Sequence, residues 1–390
     1  MIGEVNRWWL VLLAVAVGHF GIHLAIYNRV NAIGLSRLTT KIITKGFLLS
    51  TILIPLLLLL WFPRPLRELL ANQTETARFP VYVTTYAIVC LSSWVFLGIP
   101  WLLWRPIFGL EWVRAPRSIE IQDVQRWVRH SLARTRRCKI ESRLPLNQIF
   151  DLAIEQITLP VVGLPAQLDG YKIAHLSDIH LTGHAHPDYA KHVVQMATRW
   201  QPEMMVLSGD IIDRQVCVDW LPEIFSLAEA RDGCYYVLGN HDTRISDSRQ
   251  TRRAMDLAGW TDLGNLSAIH SLRDIPVRMI GNEYPWFDRP KVEPNDHGEF
   301  RVLVSHSPDQ IWWARRRGIQ LMFAGHTHGG QGRLPLIGPL LSPSYHGSRF
   351  ASGDFYKPPT TMHVSRGLGG CHLMRIHCPP ELSLVTLKAG

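Results

Sequence analysis

The chain has 390 residues, 47% hydrophobic and 19% charged, with a formal net charge of +9 at pH 7, and this length leaves room for two or three domains. Apolar runs crowd into residues 1–105, whereas the remainder alternates polar and apolar residues as a soluble domain does. The six cysteines, Cys90, Cys138, Cys217, Cys234, Cys371 and Cys378, form no C-x-x-C pair and no regular spacing, which argues against a disulfide framework and for a reducing compartment.

Three apolar runs come first. Trp8–Tyr27 and Val81–Trp104 carry no charge, and Ile42–Phe62 carries only Lys45; each meets the roughly 20 residues that a bilayer core requires. Trp8, Trp9, Tyr27, Trp61, Tyr82, Trp101 and Trp104 lie near their ends, as interfacial aromatics should. No small-residue cleavage site closes the first run, so a cleaved signal peptide fits poorly. The first connection carries Arg29, Arg37, Lys41 and Lys45, the second Arg64, Arg67 and Arg78, and the stretch after Trp104 is far more basic. The positive-inside rule then predicts an outside amino terminus and a cytoplasmic region beyond the third span. His19 and His23 sit one helical turn apart in the first run and share a face. Such a pair can ligate haem or metal, or serve contact between helices.

Residues 106–150 form a basic, partly amphipathic linker containing Arg114, Arg117, Arg126, Arg129, Arg134, Arg136, Arg137 and Lys139. No aromatic interleaving or nucleic-acid module accompanies these charges, so no nucleic acid is expected. Their place after an apolar span favours anionic lipid headgroups. Ile119, Ile121, Val124, Trp127, Val128 and Leu132 recur at mixed three- and four-residue intervals, which predicts an amphipathic helix lying on a membrane surface. Pro145, Pro160 and Pro165 punctuate an approach strand near Ile154–Leu159, and a third region covers 151–390.

Within that region five polar blocks follow apolar, strand-like runs. Asp178-Ile-His180 follows Tyr171–Ser177, Gly209-Asp210 follows Met204–Ser208, and Gly239-Asn240-His241-Asp242 follows Cys234–Leu238; His306 follows Phe300–Ser305, and Gly325-His326-Thr327-His328 follows Ile319–Ala324. Near-continuous apolar strands are buried in sheets, and loops at strand ends carry functional groups, so the polar residues are expected on one sheet rim. Asp, Asn and His together make an oxygen and nitrogen set suited to two divalent metals. Asp178 and His180 are two apart and point to one side of an extended chain, as do His326 and His328. Asp210, at a strand tip with two carboxylate oxygens, is the candidate bridge. Asp213, read from its place alone, is an acid at a helix N-terminus. His184 and His186 lie in a loop with Asp188 and are read as loop residues rather than a third metal site.

The blocks and their order resemble the calcineurin-like metallophosphoesterase family, whose motif reads D-x-H, G-D-x-x-D, G-N-H-[DE], H and G-H-x-H. Every element is present between Asp178 and His328. The stretch Gly325–Gln331, with Val364-Ser365-Arg366-Gly367-Leu368-Gly369 after it, is similar to the membrane-associated bacterial phosphodiesterase branch. The resemblance covers about residues 150–390. It implies an α/β fold, a four-layer α/β/β/α sandwich after a three-helix transmembrane region, in a multi-pass protein of the bacterial inner (plasma) membrane. It also implies two divalent ions (Mn, Fe or Zn), with Asp178, His180 and His328 on one, Asn240, His306 and His326 on the other, and Asp210 between. His241 would stabilise the transition state or protonate the leaving oxygen, and Asp213 would orient it. Arg214 and Arg366 are weaker candidates for contact with the phosphate.

The function expected from this reading is a membrane-anchored phosphohydrolase that cleaves a phosphodiester or pyrophosphate bond with metal-activated water, on a lipid-linked or amphiphilic substrate. The alternatives are a tethered hydrolase of soluble nucleotides or phosphomonoesters, and a regulatory membrane protein with a binding-only domain. The intact ligand set argues against the last. Expected partners are membrane lipids and the phosphoester substrate, with oligomeric state open.

Overall fold

The computed structural model describes residues 7–105, 109–295, 298–370 and 372–390, so Cys371 lies outside the described residues. Contacts divide the chain into two compact units, Met1–Leu110 and Glu111–Gly390.

In the first unit the apolar runs form helices at Trp8–Val30, Arg37–Trp61 and Val81–Trp104, each long and apolar enough to cross a membrane. Ser36 caps the second helix, its hydroxyl accepting from Thr39 N, which satisfies one of the orphan donors of a helix start. The third passes through a π-helical turn at Trp94–Gly98. Gly18 lets the first and third helices touch, since a Cβ there would lie 2.1 Å from Cys90 O. His19 joins all three helices: Nδ1 meets Tyr86 Oη at 2.6 Å and Nε2 meets Thr51 O at 3.0 Å. His23 Nε2 meets Ser50 Oγ at 3.0 Å. The pair serves contact between helices.

The second unit contains β1 (Arg117–Asp123), β2 (Asp151–Val161), β3 (Lys172–Leu176), β4 (Met204–Ser208), β5 (Cys234–Val237), β6 (Thr261–Asp262), β7 (Ser267–Leu272), β8 (Ile275–Asn282), β9 (Phe300–Ser305), β10 (Leu321–Ala324), β11 (Arg333–Leu334), β12 (Gly338–Pro339), β13 (Gly353–Lys357), β14 (Thr360–Val364) and β15 (Glu381–Ala389). One sheet runs β1-β2-β15-β3-β4-β5-β6 and the other β13-β14-β10-β9-β8-β7. Alternate residues of each strand serve different layers. Ile173, Met204, Val206 and Val237 meet Val277, Met279, Val302 and Phe323 in the core between the sheets. Ala174, Leu176, Met205 and Leu207 pack outward with the helices Pro187–Arg199, Leu221–Phe225 and Ser248–Leu257. The second sheet packs its outer face with the helix Ile311–Arg316. These are the four layers, α/β/β/α, expected from the sequence.

The linker reading is corrected over 117–123. That stretch is strand β1, paired antiparallel with β2 from Arg117↔Ile157 to Asp123↔Asp151, where a surface helix was expected. The reason is local: Ile119 and Ile121 alternate with Glu120 and Gln122, a period of two hidden within the three- and four-residue spacings that continue to Leu132. Val124 and Leu132 are fully buried with the core of this unit, and the helices that follow β1 among the described residues of the stretch are short, a 3-10 turn at Val124–Arg126 and an α-helix at Arg136–Glu141.

Candidate metal centre

β3, β4, β5 and β6 are mutually parallel, as are β8, β9, β10 and β14. Their carboxyl ends deliver Asp178 and His180 after β3, Asp210 after β4, Asn240 after β5, His306 after β9, and His326 and His328 after β10. This is the edge at which open α/β sheets present ligand-binding loops.

The loops turn sharply there. Asp178, His180, Asp210, His326 and His328 all have φ between 50° and 69°, the left-handed region that costs a non-glycine residue about 1–2 kcal/mol. Cross-loop hydrogen bonds hold them: Asp178 N and His180 N donate to Gly209 O and Asp210 O at 3.0 Å. His326 N donates to Asp178 Oδ2 at 2.9 Å. The buried Asp242 carboxylate accepts from Ile211 N, Ile212 N and Gly239 N at 3.0, 2.9 and 2.7 Å. Glycine is required where these loops touch. A Cβ at Gly325 would lie 1.8 Å from Ser177 Oγ, and one at Gly239 would lie 2.3 Å from Asp210 Oδ1.

Two groups of ligand atoms result, each within 4.8 Å: Asp178, His180, Asp210 and His328, and Asp210, His306 and His326. Asn240 completes the second, its Oδ1 3.0 Å from His306 Nε2. Asp210 belongs to both, with Oδ2 3.5 Å from His180 Nε2 and Oδ1 3.4 Å from His306 Nε2. The residues fit a divalent cation on their own chemistry. His306 Nδ1 donates to Ser208 O at 2.8 Å, so that once Nε2 gives up its proton its lone pair faces Asn240 Oδ1 and, at 3.1 Å, His326 Nδ1. Asp210 Oδ2 is buried without a hydrogen-bond partner. Burial pushes His306 down, yet Asp210 outweighs it and lifts the imidazole to about 9. A site that draws a proton this strongly is short of positive charge.

Asp213 backs the first group and His241 together. It accepts from His180 Nδ1 at 2.7 Å and from His241 Nδ1, the carboxylate–histidine pairing that fixes a ligand's tautomer. Burial pushes its carboxyl up, but His180 and His241 outweigh this and hold it far below the usual range. Arg244 donates to Asp213 Oδ1 and, at 2.7 Å, to His241 Nε2. In this arrangement His241 is neutral, with its proton on Nδ1. Burial keeps its pKa low despite the pull of Asp210 and Asp213.

The other sequence candidates lie elsewhere. Arg214 is exposed and lies beside Gly183. Arg366 is buried in ion pairs with Glu155 (2.6 Å) and Glu381 (3.2 Å), so its guanidinium holds the sheet together where a phosphate contact was expected. His184 bonds Thr135 Oγ1 at 3.0 Å, and His186 Nδ1 caps the helix Pro187–Arg199. His186, His130 and Asp188 gather at the half-exposed surface. Sequence reasoning missed Arg244, Arg375 and Trp286. Arg375 is fully buried and donates to His328 O at 3.3 Å and to Arg366 O at 2.7 Å. The half-buried Trp286 ring lies 4.7 Å from that of His326 and 5.3 Å from that of His306. Only Arg244 left a signal, two residues beyond the Gly239–Asp242 block.

The family model for calcineurin-like phosphoesterases matches residues 171–330. The chain is 30% identical over 238 residues to the protein named uncharacterized metallophosphoesterase YkuE of Bacillus subtilis (strain 168), covering 58% of this chain and 82% of that one. It is 25% identical over 223 residues to phosphodiesterase YaeI of Escherichia coli (strain K12), covering 56% and 82%. It is 26% identical over 280 residues to UDP-2,3-diacylglucosamine pyrophosphatase LpxG of Chlamydia trachomatis, covering 56% and 84%. With its buried Asp/His cluster able to hold metal and relatives named as hydrolases, the chain belongs to the calcineurin-like phosphoesterase family and is a metal-dependent phosphoesterase.

Proposed function

We propose that this chain is a membrane-anchored phosphohydrolase that holds two divalent ions and cleaves a phosphodiester or pyrophosphate bond in a lipid-linked or amphiphilic substrate. The observation that carries the reading is the sharing of Asp210 by two converging ligand groups. Asp178, His180 and His328 would hold one ion, Asn240, His306 and His326 the other, with manganese, iron or zinc suited to the set. Paired ions of this kind neutralise phosphoryl charge and activate water. The chain's own residues do the rest. Asp213 holds the proton on His241 Nδ1, so that Nε2 can meet the leaving oxygen. His241 either stabilises the transition state there or, once charged, protonates that oxygen. Both roles require the Arg244 guanidinium to leave Nε2, and the arriving phosphoryl group is a natural new acceptor for it.

The lipid part of the reading is supported by the three apolar helices and by the relative named for a diacylglucosamine substrate. The positive-inside pattern favours a multi-pass protein of the bacterial inner membrane with this site in the cytoplasm. The test is to assay the full chain, loaded with each metal in turn, on a chromogenic phosphodiester, a phosphomonoester and a lipid pyrophosphate. Preference for the lipid substrate supports the reading, and preference for the soluble diester or the monoester replaces it with a merely tethered hydrolase. Topology is tested by labelling single cysteines at the exposed positions Thr74 and Leu257 from outside intact cells. Labelling at 74 with protection at 257 is expected, and the reverse pattern would overturn the orientation.

A further inference from the structure

The rim beside His328 combines aliphatic and cationic side chains in a way the hydrolytic chemistry does not use. Three segments are stitched together there. Asn147 Nδ2 donates to Leu373 O at 2.8 Å, Ile376 N to Gln331 O at 2.9 Å, and Arg333 N to Ile376 O at 3.0 Å. The β11–β12 hairpin packs back on the metal loop, where a Cβ at Gly330 would lie 2.5 Å from Pro339 Cβ. The stitched segments turn Leu144, Leu146, Leu334, Leu336, Ile337 and Met374 to the outside, with Leu336 100% exposed and Leu146 65% exposed. Met374 is next to Arg375, whose guanidinium is buried against the carbonyl of His328. The outward face is therefore continuous with a candidate ligand through adjacent residues.

The segment 136–146 beside this face is predominantly basic, although Lys139 and Arg143 share a pocket with Asp123 and Asp151. Arg136, Lys139 and Arg143 are exposed in the same stretch as Leu144 and Leu146, and its one acid, Glu141, is paired with Arg137 at 2.7 Å. Protein interfaces favour Tyr, Trp and Arg and are depleted in Lys, whereas Leu, Ile and Met beside Lys and Arg suit the headgroup–acyl boundary of an anionic bilayer. Exposed aliphatic clusters of this kind mark interaction surfaces. We infer that the hairpin Arg333–Pro339, with the Leu144–Leu146 and Met374 loops, is a docking face for an anionic lipid surface, which brings the metal-centre rim to the plane of the headgroups. The inference rests on the membrane anchoring proposed above, and the experiment separates the two.

The full chain, carrying a photo-cross-linking phenylalanine analogue at position 336, is reconstituted into phosphatidylcholine vesicles with or without phosphatidylglycerol. A matched variant carries the analogue at Leu257, which is 81% exposed on the helix Ser248–Leu257. The expected result is flotation of both variants with the vesicles, lipid adducts at least about fivefold more abundant at 336 than at 257, and a several-fold loss of those adducts without phosphatidylglycerol or with Lys139→Glu and Arg143→Glu together. A probe at Leu146 repeats the test should the hairpin variant fail to fold. Flotation with no excess of lipid adducts at 336 or 146 would overturn the docking face and leave the anchor standing. Adducts to a second protein chain would overturn it in favour of a protein interface. Failure to float would overturn both.

Discussion

Buried histidines occur in both units of this chain, and they are held in opposite ways. In the helical unit each ring nitrogen of His19 and His23 has a hydrogen-bonding partner of ordinary chemistry: Tyr86 Oη, Thr51 O, His19 O and Ser50 Oγ. His19 as a neutral ring satisfies its surroundings, donating through Nε2 to Thr51 O and accepting at Nδ1 from the tyrosine. In the second unit His306 uses Nδ1 on Ser208 O and turns Nε2 toward Asn240 Oδ1 and His326 Nδ1. With that ring neutral, acceptors converge on one another there, a few ångströms from a carboxylate oxygen without a hydrogen-bond partner. The difference separates a structural histidine from a ligand more sharply than burial does. A ring whose partners are complementary needs nothing further, whereas one whose free lone pair faces other lone pairs calls for a cation.

The largest expected effect comes from breaking the shared carboxylate. Asp210→Asn keeps the volume and removes the bridging charge, and turnover on a chromogenic phosphodiester should fall by at least about a thousandfold with the fold retained. Unchanged turnover would dissolve the comparison. His241→Ala comes next: kcat should drop by about 10²–10⁴-fold, while metal content measured by plasma mass spectrometry stays at the wild-type value. Loss of metal equal to that in Asp210→Asn would make His241 a ligand and refute the separation of roles.

A third effect is on stability. Arg366→Met leaves Glu155 and Glu381 buried without their shared guanidinium, which should cost about 3–5 kcal/mol at neutral pH, read as a lowered melting temperature. Burial pushes Glu381 up, but Arg366 and His363 outweigh it and hold it at about 2. A depressed carboxyl stabilises the fold fully above its unfolded value of about 4.5 and loses that contribution as pH falls toward 2. The gap between wild type and variant should therefore narrow through that window, and a gap that widens would contradict the assignment. The smallest effect belongs to the helical unit. His19→Phe should cost about 1 kcal/mol of helix association and leave metal content and kcat on a soluble diester unchanged. Loss of metal in this variant would mean that the two kinds of histidine had been wrongly distinguished.

The parts of the molecule that could be read in advance are those where chemistry restricts residue choice. Divalent ions narrow the strand tips to Asp, Asn and His, so Asp178, His180, Asp210, Asn240, His306, His326 and His328 stood out between apolar strands, and the sheets that carry them followed. Residues 117–132 were ambiguous because the alternation of Ile119 and Ile121 runs into the helical spacing of Ile121, Val124 and Val128, and pairing with β2 decides for a strand over 117–123. The supports of the site were hidden for another reason: their partners come from distant segments. Glu283 accepts from Leu238 N and pairs with Arg252, Arg375 reaches the His328 loop, and Arg366 joins Glu155 of β2 to Glu381 of β15. None of these pairings has a spacing that a single sequence displays.

The central claim is that one carboxylate joins two metal positions, and electron paramagnetic resonance of the manganese-loaded full chain tests it most directly. Two Mn(II) ions bridged by Asp210 should give an exchange-coupled multiline spectrum at two equivalents per chain, reduced to isolated six-line signals in Asp210→Asn and unchanged in His19→Phe. A wild-type spectrum of isolated Mn(II) alone, at any loading, would contradict the shared site.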